Sequence, residues 1–259
     1  MRIYIHTDLE GVSGIGRGEM VPRDSTDYEL CRELLMGDLN AAVDGAFAGG
    51  ATEVMVLDSH GGGNNFILEK LDRRAINDTK PNRKWWGVMD QRCDATFFIG
   101  AHAMAGTMNA FLDHTQSSLT WHRYSINGRE MGELAQWALV AGNFGVPMVM
   151  VSGDEAACVE ARQFFRPCKT AIVKTASERQ LADCLPLDEA RQLIWQAAHD
   201  AIAIVREARP FRLQTPMEII TEFNRCDYAD NAARSRNVER IGPRTVRKLT
   251  SNPLELFPW

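Results

Sequence analysis

The stretch Arg2-Ile3-Tyr4-Ile5-His6-Thr7-Asp8-Leu9-Glu10-Gly11 decides how this chain is read. Residues 2 to 7 form a short, largely apolar run of strand length, and it ends at a carboxylate, Asp8. Asp8 and Glu10 stand two residues apart, a spacing that puts both side chains on one side of an extended backbone, and Gly11 frees the turn that follows. The pattern recurs downstream. Glu53-Val54-Met55-Val56-Leu57-Asp58 reads as a second buried strand, followed by the loop His60-Gly61-Gly62-Gly63-Asn64-Asn65. Ala95-Thr96-Phe97-Phe98-Ile99-Gly100 reads as a third, leading into a loop that holds His102 and His114.

Helical segments fall between these strands. Leu30, Leu34, Leu35, Leu39, Val43 and Phe47 recur at helical spacing over 27–48, and Gly49-Gly50 stops that helix. Asn127-Gly128 marks a hairpin over 119–131, a helix over 133–143 opens at Glu133, and a strand follows over 146–152. Strands alternating with helices imply βαβ units, and so an α/β fold with a mainly parallel sheet flanked by helices. Past residue 153 the pattern is mixed: a helix near 154–165, a strand near 170–175, a long helix over 187–208, and strands near 217–223 and 244–249. The expected organisation is a single unit over 1–259, with a metal-binding α/β part over about 1–153 and a smaller C-terminal α/β lobe over about 154–259.

Composition narrows the class. With 259 residues, 45% of them hydrophobic, the chain can bury a sizeable core. A formal charge of −5 argues against a protein whose main task is gripping nucleic acid. No apolar stretch approaches the roughly 18 to 20 residues of a membrane span, and the first residues lack the apolar core of a secretory signal. Cys31, Cys93, Cys158, Cys168, Cys184 and Cys226 are scattered without a Cys-x-x-Cys pair, which reads as reduced thiols rather than a zinc site, and the expected location is cytoplasmic.

Asp8, the pair Asp58 and His60, and His102 each fall just past the C-terminal end of a predicted strand, where open parallel sheets bind ligands. Carboxylates and imidazoles without thiolates suit Zn²⁺, with Mn²⁺ or Co²⁺ able to substitute, and a carboxylate such as Asp8 is suited to bridging two metals. The bland readings differ by residue. Asp8 and Glu10 also suit the capping of a turn, His60 a loop, and Glu133 the first turn of a helix. His122 and His199 read as surface and helix residues without catalytic duty. Trp85-Trp86 and the tail Leu256-Phe257-Pro258-Trp259 read as core packing or a subunit contact, and the apolar tail favours a homo-oligomer.

Four segments occur together in an order and spacing that resemble the D-aminopeptidase DppA family of zinc metallopeptidases. They are His6-Thr7-Asp8-Leu9-Glu10-Gly11-Val12-Ser13-Gly14, Asp58-Ser59-His60-Gly61, Gly100-Ala101-His102-Ala103 and Asn127-Gly128-Arg129-Glu130-Met131-Gly132-Glu133-Leu134. Val149-Met150-Val151-Ser152-Gly153-Asp154 is similar to the family as well, and the resemblance is good over about 1–180 and loose beyond. It implies that Asp8, Glu10, His60, His102 and Glu133 bind two zinc ions per chain, with Asp8 as the bridge, and that His114 is the catalytic histidine. It further implies removal of N-terminal residues from short D-amino-acid peptides, typically D-alanyl peptides, and a ring-shaped decamer. One residue departs from the family pattern: His6 stands where the family has serine, on the same strand face as Asp8. The competing functions are an amidase or phosphoesterase on the same metals, for which Arg17, Arg23 and Arg123 would supply cationic groups, and a metal-binding protein without catalysis.

Overall fold

The computed structural model describes residues 1–78 and 84–258. In chain order the elements begin with β1 (Arg2–Thr7), α1 (Tyr28–Ala48), β2 (Glu53–Asp58), β3 (Ala75–Asn77), β4 (Ala95–Ala101), β5 (Trp121–Ile126), β6 (Arg129–Glu130), α2 (Glu133–Asn143) and β7 (Met148–Asp154). They continue with α3 (Glu155–Phe164), β8 (Lys169–Glu178), β9 (Leu181–Cys184), α4 (Leu187–Ile204), β10 (Met217–Phe223), α5 (Cys226–Ala232), β11 (Val238–Arg240) and β12 (Thr245–Thr250).

The larger sheet has seven strands in the order β3-β2-β1-β4-β7-β8-β9. All neighbours run parallel except the closing β8–β9 hairpin. Alternation along β1 sends Ile3 and Ile5 into a core against α1 and α4, while Tyr4 joins Phe98, Leu134, Trp137 and Ala161 on the side of α2 and α3. Helices therefore cover both faces, as a parallel sheet requires. The chain lays down β1, β2 and β3 in one direction and then returns to place β4 on the other side of β1. That reversal opens a crevice beyond the C-terminal ends of β1 and β4, the place where open α/β sheets bind ligands.

A second, antiparallel sheet runs β11-β12-β10-β5-β6, drawing two strands from before residue 153 and three from after it. Asn127 (φ 51°) and Gly128 (φ 77°) both lie in the left-handed region, which the tight turn between β5 and β6 demands. Helix α2 lies between the two sheets. Its Leu134, Trp137, Ala138 and Ala141 pack toward the first and Ala135, Leu139 and Val140 toward the second. An all-round apolar helix of this kind is stable only when buried, and Leu134 to Gly142 all are.

The tail closes the second core. Leu256 and Phe257 are buried, the Phe257 ring lies 4.9 Å from that of Trp85, and the Tyr124 hydroxyl donates to the Leu256 carbonyl at 2.9 Å. Core packing thus accounts for Trp85 and for Leu256-Phe257, while Trp259 lies outside the described residues. Among the described residues no helix is long and apolar enough to cross a membrane, and all six cysteines are free thiols.

Candidate metal centre

Three parallel strands and one helix deliver the site. β1 ends at Thr7, as expected, and the chain turns immediately: Asp8 N–H donates to the Ile99 carbonyl and Gly11 N–H to the Gly100 carbonyl, both at 2.8 Å. The turn requires close backbone approach. A Cβ on Gly11 would meet the Ala101 carbonyl oxygen at 2.0 Å, so only glycine fits. The same-side placement of Asp8 and Glu10 is realised, but by this turn rather than by extended backbone.

Both carboxylates reach one imidazole. His60 Nδ1 lies 2.9 Å from Asp8 Oδ1 and 3.1 Å from Glu10 Oε2. On the other side, His102 Nε2 lies 3.4 Å from both Asp8 Oδ2 and Glu133 Oε1. His114 Nε2 stands 3.7 Å from Glu133 Oε1 and 3.9 Å from Glu10 Oε1, its ring stacked on that of His102 at 3.9 Å. Two triads of ligand atoms result, Asp8-Glu10-His60 and His102-His114-Glu133, with each set's atoms within 4.8 Å of one another. All six residues expected to form the site are therefore together, and Asp8 gives one oxygen to each side.

Asp58 has a different task. Its carboxylate accepts from Asn65 N–H (2.6 Å), Asn65 Nδ2 (2.7 Å) and Phe66 N–H (3.1 Å), and Asn65 Nδ2 also donates to the His60 carbonyl. It closes the glycine loop that presents His60, and among the described residues it belongs to neither triad. His6 packs between Phe98 (4.4 Å) and Trp137 (4.2 Å), with Nδ1 3.3 Å from the hydroxyl of Ser59, the neighbour of His60.

Charge in the cluster is tightly balanced. Burial would push the Glu10 and Glu133 carboxyls up, but His60 beside Glu10 and His102 beside Glu133, helped by His114, hold both well below the usual range. Burial alone would likewise disfavour charged His60 and His102, yet the carboxylates around them raise both proton affinities. A divalent cation supplies the same compensation without protons. One atom points to it directly: His102 Nε2 is buried and has no hydrogen-bond partner among the described residues, while its Nδ1 is satisfied by the Ala103 carbonyl at 3.0 Å. A metal-ligating histidine has this arrangement, one nitrogen held by a carbonyl and the other bare. The donor set fits zinc.

The loop bearing His114 is anchored from several sides. Leu112 sits at φ 50°, an unusual conformation for leucine, and Gln116 at φ 61°. Such strain persists only where surroundings over-determine it. Leu112 N–H donates to the Arg179 carbonyl, the Arg179 guanidinium pairs with Asp113 at 2.9 Å, and Phe111 N–H donates to Asp154. Gln116 N–H donates to Glu133 Oε1 at 2.7 Å, tying the far end of the loop to a member of the second triad. His114 Nδ1 donates to the Leu112 carbonyl at 2.8 Å, which leaves Nε2 facing the carboxylates. Nothing in the sequence singles out Arg179 or Gln116, since each acts through contacts with residues distant in the chain that no local motif encodes.

The chain and its fold have counterparts among known proteins. A family model described as D-aminopeptidase matches residues 1–259. A D-aminopeptidase of Bacillus subtilis (strain 168) is 31% identical over 261 residues, covering 99% of this chain and 94% of that protein. The solved structure of the Zn-dependent D-aminopeptidase DppA from Bacillus subtilis, a self-compartmentalizing protease, matches with a TM-score of 0.94 at 29% identity, covering 99% of this chain and 94% of that one. With the family matched end to end, this chain belongs to the D-aminopeptidase family and is a peptidase.

Proposed function

We propose that the chain is a dizinc aminopeptidase that removes the N-terminal residue of short D-amino-acid peptides, D-alanyl peptides foremost. The observation that carries this reading is the division of Asp8, with Oδ1 on the His60 side and Oδ2 on the His102 side. A carboxylate so placed suits the bridge of a two-metal hydrolase. In this reading Asp8, Glu10, His60, His102 and Glu133 hold the metals, and Mn²⁺ or Co²⁺ can replace zinc. Zinc bound there supplies Lewis acidity, polarising the scissile carbonyl and acidifying water. His114 Nε2, freed by the hold of Leu112 on Nδ1, is the atom that takes and returns a proton as the amine leaves. The chain works in the cytoplasm as a homo-oligomer, a ring-shaped decamer by analogy with its family, consistent with the self-compartmentalizing character of the Bacillus subtilis structure.

A phosphoesterase has less support. Arg17 pairs with Glu19 and Asp27, Arg123 pairs with Glu130, and Arg23 donates to the Gly61 and Gly63 carbonyls, so all three guanidinium groups are engaged. The test is a stereochemical panel. D-alanyl-D-alanine should be cleaved and L-alanyl-L-alanine should not; equal cleavage of both, or of neither, would overturn the proposed specificity.

A further inference from the structure

A strand outside the three that deliver the site, β8, buries a charged side chain close to it. Lys174 on β8 is 1% exposed, yet it carries an ammonium group. Its Nζ donates to the Glu10 carbonyl at 2.8 Å and the Ile15 carbonyl at 2.6 Å, and lies 4.7 Å from the centre of the Phe111 ring. Among the described residues its bonds go to two carbonyls and an aromatic face rather than to a carboxylate. A buried ammonium is costly to desolvate, and apolar packing would fill this position with less penalty.

We infer that Lys174 is a positioning residue of the metal centre, holding the backbone of the loop that presents Asp8 and Glu10 to the metals. The inference rests on the two-metal reading above. Fixing the Glu10 carbonyl fixes the peptide plane that leaves its Cα, and so the direction in which its side chain departs. That direction matters on both sides, because Glu10 sets Oε2 3.1 Å from His60 Nδ1 and Oε1 3.9 Å from His114 Nε2. The second bond reaches five residues on, so the ammonium spans the turn as a clamp. The first part of this turn is held by Gly11 N–H on the Gly100 carbonyl, and its middle by Ser13 N–H on Asp38. Lys174 supplies the hold on the Glu10 carbonyl itself. Phe111, which covers the ammonium, lies three residues before His114 and is fixed by Asp154. One cation therefore braces the metal-ligand loop and touches the loop that carries the proposed proton shuttle.

The test uses the full-length chain stripped of metal and reloaded with Zn²⁺ against a competing chelator. The wild type should take up two equivalents. In Lys174→Met, which keeps the length and loses the donors, one of the two steps should weaken at least tenfold and the other less than threefold. Lys174→Arg, which keeps a cation with several donors, should recover most of that loss. kcat of the reloaded Met variant should fall while KM stays within twofold. Equal weakening of both steps, or binding like the wild type, would overturn the positioning role. If Lys174→Met does not fold, Lys174→Gln is read the same way, and failure of both to fold would assign the residue to the core alone. A wild type that takes up fewer than two equivalents would instead overturn the two-metal reading, a separate outcome.

Discussion

At the scale of single residues, the site is a problem of charge. Asp8, Glu10 and Glu133 converge on His60, His102 and His114 in a partly buried crevice, and the buried His102 Nε2 has no hydrogen-bond partner among the described residues. His114 is the member whose role can be separated from metal holding. Replacing it with alanine should lower kcat by about 10²- to 10⁴-fold, the range of general acid–base catalysis, with zinc content unchanged; loss of zinc together with activity would make it a ligand. Glu160 offers a pH readout. Burial pushes its carboxyl up to about 7, only partly offset by the Met104 N–H it accepts from. Between the ordinary value of 4.5 and about 7 the folded chain then binds more protons than the unfolded chain, so stability falls as pH rises across that window. Wild type should lose on the order of 1–3 kcal/mol of stability between pH 5 and pH 8 relative to Glu160→Gln. Urea midpoints of the two proteins at both pH values measure this, and parallel profiles would contradict it. Asp8, His60 and His102 were legible from their places just past predicted strands, whereas the full set with Glu10, His114 and Glu133 was implied only by the family resemblance. Lys174 and Glu160 were not legible. Their importance comes from what burial does to a charge, and neither neighbour lies nearby in the chain.

Among the elements, β1, α1, β2, β4, α2 and β7 follow from periodicity, since each is a buried strand or a long apolar helix face. The short strands β3, β9 and β11 escape that reading, being three or four residues long with half-exposed patterns. The membership of the β5–β6 hairpin in the second sheet is also invisible locally, because β10, the partner of β5, lies about ninety residues away in the chain. α4 ends at Ile204, short of the expected 208. The loop before His114 belongs to this scale, since its conformation depends on the β8–β9 hairpin. Arg179→Ala removes the ion pair with Asp113 and should lower kcat by about tenfold with little change in KM, whereas Arg179→Lys should recover part of the loss. An equal fall in both variants, matched by a lower melting temperature, would make the contact merely structural.

The whole molecule is two sheets joined through one buried helix, with the metal crevice at the reversal of the first sheet and the chain's end sealing the second. Phe257 packs on Trp85 and Trp121, so Phe257→Ala should cost about 3–5 kcal/mol, read as a lower denaturant midpoint. A change below about 1 kcal/mol would show the tail to be dispensable. In the function proposed above, two metal ions held in this crevice hydrolyse D-amino-acid peptides. Zinc content and D-alanyl-D-alanine hydrolysis, measured on one purified sample before chelation, after chelation and after zinc is restored, test it most directly. About two zinc ions per chain, with release of D-alanine that chelation stops and zinc restores, is the expected result. A single ion per chain, or hydrolysis that survives full removal of metal, would contradict it.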